Sequence, residues 1–389
     1  MPEPSSRSCT WSRWQQVYGK TRDAVHDKWI NLQNKARDGT VATRTPTVGE
    51  YVTYWLEEII RPNRAPLTYQ TYETFVRVHI IPALGAKNLT RLQVRDVQQW
   101  INKLAATCQC CAQGKDARRP VKKRRCCAIG KCCEDTLSRR SVGDVRAALR
   151  AALSHAVKEE LIGKNVAMSV TLPKNRKRAR RRKAWTTDEA RAFLESARAD
   201  EDRLYAAYVL VLVLGLRKGE VLGMCWDDLD LDAGTLSIRM QLQRVGRRLL
   251  HRETETEESE SDLPLPRICT TALNLRRTQQ QHDRDMAGPA WQGDKLVFTT
   301  RYGTPIEPRN FNRSWDARCA KADVRKITVH DGRRSCGTLL ADLDVHPRVA
   351  MQILRHADFA LTMEIYTLAS SAATRDALKR LGASLDGPQ

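Results

Sequence analysis

Residues 173–183 read PKNRKRARRRK, eight cations in eleven positions. Like charges at this density repel one another and resist compaction, so the segment is expected to be extended. A hydrophobic core cannot be continuous across it, and the chain must fold as separate bodies on its two sides. Its 389 residues are enough for two or three such bodies.

On the N-terminal side the apolar periodicity is helical. A helix signal starts at Thr21 and runs through Ala24, Val25, Trp29 and Leu32 to a stop at Gly39. It is too short to build a core alone, so 1–45 is read as a partial N-terminal segment. Thr47 and Glu50 have capping-box spacing and open a unit over 46–172. Further helices are predicted at Tyr69–Ile80, Val94–Ala106 and Ser141–Leu161. The basic linker is assigned 173–185, and a second capping box, Thr186 and Glu189, opens a unit over 186–389. There, helices are predicted at Thr187–Ala199 and Leu204–Leu214. One strand is predicted through Leu236, Ile238, Met240 and Leu242, and another closes at Leu263–Pro266. From Ala272 to Leu381 the pattern is mostly helical, interrupted at Gly288–Pro308. The fold class expected is mainly α with a small antiparallel sheet.

The formal charge of +21 favours a polyphosphate partner. On that reading Arg176, Lys177, Arg178, Arg180, Arg181, Arg182 and Lys183 lie against DNA phosphates; the plainer reading is a solvated tether. The longest apolar run, Leu204–Leu216, is too short to cross a bilayer, and Met1–Thr10 has no apolar signal region. A cytoplasmic, nucleoid-associated protein with no membrane partner is expected. Seven of the twelve cysteines fall between Cys108 and Cys133, inside the first helical unit. Without export, disulfides are not their expected state. Cys108 and Cys111 with Cys127 and Cys132 could hold a tetrahedral structural zinc; the alternative is an unmetallated insertion over 108–133.

Four short segments carry chemistry: LGLRKGE (214–220), HDGR (330–333), LRH (354–356) and MEIY (363–366). Each alone is weak, since an arginine at a helix end is usually solvated and a tyrosine usually packs. Their order, Arg217, then His330-x-x-Arg333, then His356, then Tyr366, is that of the phage integrase family of tyrosine recombinases. The texts LGLRKGEVLGMCWDDLDLD, HDGRRSCGTLL and ILRHADFALTMEIYT resemble that family closely over 186–389, and 47–172 resembles its helical core-binding domain more loosely. The look-alikes are integrases of phages and integrative plasmids from high-GC Gram-positive bacteria.

The resemblance implies a catalytic domain preceded by an all-helical core-binding domain, the two gripping opposite faces of DNA. It implies site-specific cleavage and rejoining through a 3′-phosphotyrosyl link, integrating or excising a mobile element. Tyr366 is the implied nucleophile. Arg217 and Arg333 stabilise charge on the non-bridging oxygens, His356 adds a donor, and His330 manages the tyrosine proton. Glu220 is expected to buttress Arg217. No cofactor is expected for catalysis. Double-stranded attachment sites, a homotetramer on DNA built from monomers through the tail at 372–381, and an excision factor are the implied partners.

One expected residue is missing. The family places a lysine, the general acid for the leaving 5′ oxygen, just before a short xPLP strand. Counting back from Leu263-Pro264-Leu265-Pro266 puts Glu255 there, and no lysine occurs from Thr235 to Asp294. Glu253–Asp262 holds six acids and no base. An ionised carboxylate cannot donate that proton and repels phosphate. Arg252 is a poor substitute, because a guanidinium releases its proton reluctantly; a shifted register is another reading, and a copy that binds DNA better than it cuts is a third. Rival functions are a cleavage-impaired, sequence-specific DNA-binding protein and a type IB topoisomerase. The remaining residues near these motifs, Ser335, Cys336, Thr338, Trp226, His251, His282 and His346, are read as packing or surface.

Overall fold

The computed structural model describes residues 17–38, 45–173, 184–254, 261–293, 295–355 and 362–363. The chain divides into two compact units, Met1–Lys177 and Arg178–Gln389. Among the described residues no helix is long and apolar enough to cross a membrane.

The first unit is helical. Helix α1 (Arg22–Asp38) leaves Trp29 and Ile30 exposed. Helix α2 (Val48–Tyr54) starts on the Thr47 capping box: the Thr47 hydroxyl accepts from Glu50 N–H at 3.2 Å and Glu50 accepts from Thr47 N–H at 2.7 Å. It runs on through a wider turn at Trp55–Ile60. Helix α3 (Pro66–Phe75) begins three residues ahead of the predicted Tyr69, because proline at the first helical position is pre-set for the helix. Helix α4 (Val94–Ala106) turns Val97, Trp100, Ile101 and Leu104 inward. Helix α5 (Arg139–Lys158) is capped by Ser138 and buries Val142, Val145, Leu149, Leu153 and Ala156 along one stripe. These faces form one core. Tyr51 and Tyr54 both donate to Glu159 at 2.9 Å, tying α2 to the end of α5.

The second unit starts with helix α6 (Thr187–Ala199), set by the Thr186–Glu189 capping box. Helix α7 (Tyr205–Val213) is buried along almost its whole length. Around it lie α8 (Lys218–Gly223), α9 (Arg267–Ala287), α10 (Pro308–Lys321), α11 (Val329–Asp342) and α12 (Pro347–Leu354). Among the described residues the unit also holds five short strands: β1 (Leu229–Asp230), β2 (Thr235–Ile238), β3 (Met240–Val245), β4 (Arg248–Glu253) and β5 (Ser261–Pro264).

The single alternating strand predicted over 236–242 is two strands in two sheets. β2 lies between β1 and β5, with Leu236 opposite Leu263; β3 pairs with β4, with Leu242 opposite His251. The break falls at exposed Arg239. The signal for the extra hairpin was Val245-Gly246-Arg247-Arg248, where Gly246 takes a φ of 57° that suits a tight turn.

The core of this unit centres on Trp315 of α10. Its ring stacks on Trp185 at 5.6 Å, meets Phe193 at 4.7 Å and takes Tyr208 edge-on at 5.6 Å. Trp185 is held from both sides: its backbone N–H donates to the Ser335 hydroxyl at 2.9 Å and its indole N–H to the Arg325 carbonyl at 2.7 Å. Ser335 is therefore a structural link between the start of the unit and α11. Gly332 lets α11 press against this cluster, because a Cβ there would lie 2.8 Å from the Trp315 ring. Trp315→Ala should lower the unfolding free energy of this unit by about 3–5 kcal/mol, read as a lower urea midpoint; a loss under about 1 kcal/mol would show that the cluster is not the centre of the core.

Candidate active site

Three stretches of the second unit converge: the exit of α7 into α8, the first turns of α11, and the end of α12. The chain leaves α7 through Gly215 at a φ of +60°, and a Cβ there would lie 2.6 Å from the Leu354 side chain. Glycine allows both the left-handed backbone and the contact with α12. The next turn places Arg217 at the N-terminal cap of α8.

Glu220, 3% exposed, holds this region together. It accepts the Arg217 backbone N–H at 2.8 Å and the Arg217 guanidinium at 2.7 Å. It also accepts the Arg355 guanidinium at 2.6 Å, and that side chain is 1% exposed. Arg217 reaches on to the Arg355 carbonyl at 3.1 Å. The carboxylate thus buttresses Arg217 and carries a second guanidinium besides. Arg355 is a positioning residue that sequence reasoning missed. It stands at the end of α12 with a φ of +49°, where its buried ion pair offsets an unfavourable backbone. A lone arginine beside a helix end carries no signal separating it from a solvated one.

Arg333 lies in α11, whose start is fixed by Thr328 and Asp331 in a capping box. Its guanidinium donates to the Gly215 carbonyl at 2.5 Å and to the Leu354 carbonyl. Burial, then the charges of Arg217 and Arg355, push it down from the usual arginine range to about 9. The guanidinium bonds to carbonyls, and a phosphodiester would bring it an anionic partner. His330, one turn earlier, is exposed.

Arg217, His330 and Arg333 line one cavity of about 380 Å³ together with Lys218, Lys326 and Asp316. Asp316 is occupied by Lys326 at 2.6 Å. Lys218 bonds only weakly to neutral Asn312, at 3.2 Å, and burial lowers its pKa. The cavity is therefore lined by an excess of positive charge.

Of the residues expected from sequence, Arg217, His330 and Arg333 come together here. His356, Tyr366, Glu255 and the linker cations Arg176, Lys177, Arg178, Arg180, Arg181, Arg182 and Lys183 lie outside the described residues, as does the tail at 372–381. In the cysteine-rich insertion, Cys108, Cys111 and Cys132 converge as expected, but the fourth member is Cys126 and not Cys127. The reason is buried Asp116, which takes the backbone N–H groups of Cys126 and Ala128 at 2.9 and 3.1 Å. That loop turns Cys126 inward and leaves Cys127 exposed. Two further residues read as plain also make specific contacts: Trp226 donates to Gln280 at 2.6 Å, and His251 meets the Gly223 carbonyl at 2.7 Å.

Glu220→Gln and Arg355→Ala should each destabilise the second unit by about 3 kcal/mol, since each strands a buried charge. The double variant should lose clearly less than the sum of the two. Strict additivity in a denaturation cycle would show that the pair is not coupled.

A profile of the phage integrase family matches residues 183–372, and one of the phage integrase N-terminal SAM-like domain matches 47–105. The chain is 26% identical over 363 residues to an integrase of Streptomyces ambofaciens, spanning 90% of this chain and 83% of that one. It is 24% identical over 370 residues to a XerC-like tyrosine recombinase of Caldanaerobacter subterraneus subsp. tengcongensis, spanning 90% and 87%. In fold it is similar to the Tn1549 transposon integrase in complex with a circular intermediate DNA, with a TM-score of 0.66 at 17% identity, over 86% of this chain and 99% of that one. With both of its units matched in order and the Arg217, His330 and Arg333 constellation in place, this chain belongs to the phage integrase family, the tyrosine recombinases.

Proposed function

We propose that this protein is a site-specific DNA recombinase that integrates and excises a mobile element, cutting and rejoining each strand through Tyr366. The observation that carries the reading is the pair of guanidiniums, Arg217 and Arg333, facing one cavity with His330 while the buried Glu220 carboxylate holds Arg217 in place. Fixed cations aimed at one point stabilise the charge that builds on the non-bridging oxygens of a phosphodiester under attack. The Tn1549 integrase, similar in fold, was solved with DNA bound.

The Tyr366 oxygen attacks phosphorus as His330 takes the phenolic proton, and the bond from phosphorus to the 5′ oxygen breaks. The strand end is held as a 3′-phosphotyrosyl ester, and a 5′-hydroxyl from the exchanged strand reverses the step. His356 adds a donor to the phosphate. The first unit and the linker cations supply most of the sequence-specific grip on double-stranded DNA, and four copies assemble on two paired sites. Excision takes place when a directionality partner is present.

Cleavage is slow in this copy. The leaving 5′ oxygen needs a proton, and Glu255 stands where the resemblance places a lysine. Loss of a general acid costs about 100- to 10,000-fold. A nicked suicide substrate carrying the attachment core should give a covalent adduct that disappears in Tyr366→Phe. Glu255→Lys should raise the rate of adduct formation at least about 100-fold. A substrate with sulfur in place of the 5′ bridging oxygen needs no proton on departure. The wild-type chain should cut it at least about 100-fold faster than the oxygen substrate, and equal rates would show that a general acid is intact. An adduct that persists in Tyr366→Phe would remove the nucleophile assignment.

A further inference from the structure

We propose that Cys108, Cys111, Cys126 and Cys132 of the first unit bind one structural zinc ion. Their four sulfurs lie within 4.8 Å of one another. Cys111 is 3.3 Å from Cys126 and 4.0 Å from Cys132, and Cys108 is 4.0 Å from Cys126. A tetrahedral zinc with Zn–S bonds of about 2.3 Å sets its sulfurs about 3.8 Å apart, so small movements would complete the site. Four soft thiolates in a tetrahedron select zinc over hard cations.

The surrounding backbone is organised around these sulfurs. Cys108 caps, and Cys111 lies within, the single helical turn Gln109–Ala112 that follows α4. The two ends of the insertion are joined by a bridge between Cys108 and Thr136 and by the Gln109 N–H to the Asp135 carbonyl at 2.8 Å. Asp116, with no exposed surface, accepts from the backbone of Arg125, Cys126 and Ala128 and from Arg119. All of its acceptor capacity goes to shaping the loop that delivers Cys126. The Cys133 N–H donates to the Cys126 sulfur at 3.2 Å and the Glu134 N–H to the Cys132 sulfur at 3.4 Å. Such donors orient the two sulfurs as outer contacts do around a metal site.

The insertion also needs a staple. Its buried apolar side chains are Cys108, Cys110 and Cys126, with Cys133 packed beside them, which is too little to order some 25 residues without a metal or crosslink. Cys110, Cys126 and Cys133 form a second sulfur group, but it shares Cys126 and has only three members, so one ion is expected. The ion would tie down a lobe whose outer surface carries Lys115, Arg118, Lys122, Lys123, Arg125 and Lys131.

Elemental analysis of the full chain, purified without chelator, should find one zinc per chain. Cys126→Ser should lose at least nine-tenths of it, and Cys127→Ser should keep it. Cobalt loaded into the wild-type chain should show the intense visible bands and thiolate charge-transfer absorption of a tetrahedral tetrathiolate site. That measurement stands even if Cys126→Ser fails to fold. No zinc in fresh protein, two ions per chain, full zinc in Cys126→Ser, or cobalt spectra without tetrahedral thiolate bands would each overturn the proposal.

Discussion

Glu220 is the single counter-charge on which the described part of the site depends. It takes the Arg217 backbone, the Arg217 guanidinium and the Arg355 guanidinium with its two oxygens. Arg333 has carbonyl acceptors and no carboxylate. Three guanidiniums therefore share one buried anion, and burial magnifies the imbalance because a low dielectric screens little. The protein bears the cost of assembling that charge during folding, before any DNA is present. A phosphodiester entering the cavity meets cations already fixed in place, so little reorganisation is left for the transition state.

The backbone makes this concentration of charge possible. Gly215 brings the α7 exit against Leu354, and its carbonyl then becomes an acceptor for Arg333. Gly332 lets α11 lie on Trp315 with His330 and Arg333 on either side of the contact. The Arg217 guanidinium reaches the Arg355 carbonyl, and that of Arg333 reaches the Leu354 carbonyl. Main-chain carbonyls of α12 thus serve as acceptors for side chains more than a hundred residues away and from the neighbouring helix. The apolar packing of the second unit and the polarity of its site are one construction.

Much of this was legible in the residue pattern. The capping boxes at Thr47 and Thr186 marked helix starts because two short polar side chains at fixed spacing satisfy local donors whatever the distant packing. The stripe Val142, Val145, Leu149 and Leu153 marked a buried face for the same local reason. Arg217, His330 and Arg333 could be paired from the order of their motifs. Arg355 could not, since its role comes from a contact across 135 positions and leaves no periodic trace. The strand break at Arg239 was hidden because alternation is blind to which sheet each half joins. Choosing Cys126 over Cys127 turns on the direction of a side chain, and that is decided by Asp116 ten residues earlier.

On the proposed reading, holding the phosphate and releasing the 5′ oxygen are physically separate tasks, and this chain treats them differently. Charge stabilisation rests on Arg217 and Arg333, held by Glu220, Gly215 and Leu354, a network in which each member is buried or partly buried and constrained by the fold. Proton donation falls to a position between β4 and β5, where four acids and no base occur. Change there touches none of Arg217, Glu220, Arg333 and Arg355, so it leaves their network intact while withdrawing one proton. The general acid is lost in one substitution, whereas loss of Glu220 or Arg355 strands a buried charge at a cost of about 3 kcal/mol. Slow cleavage with site binding preserved is the combination that this division of labour allows.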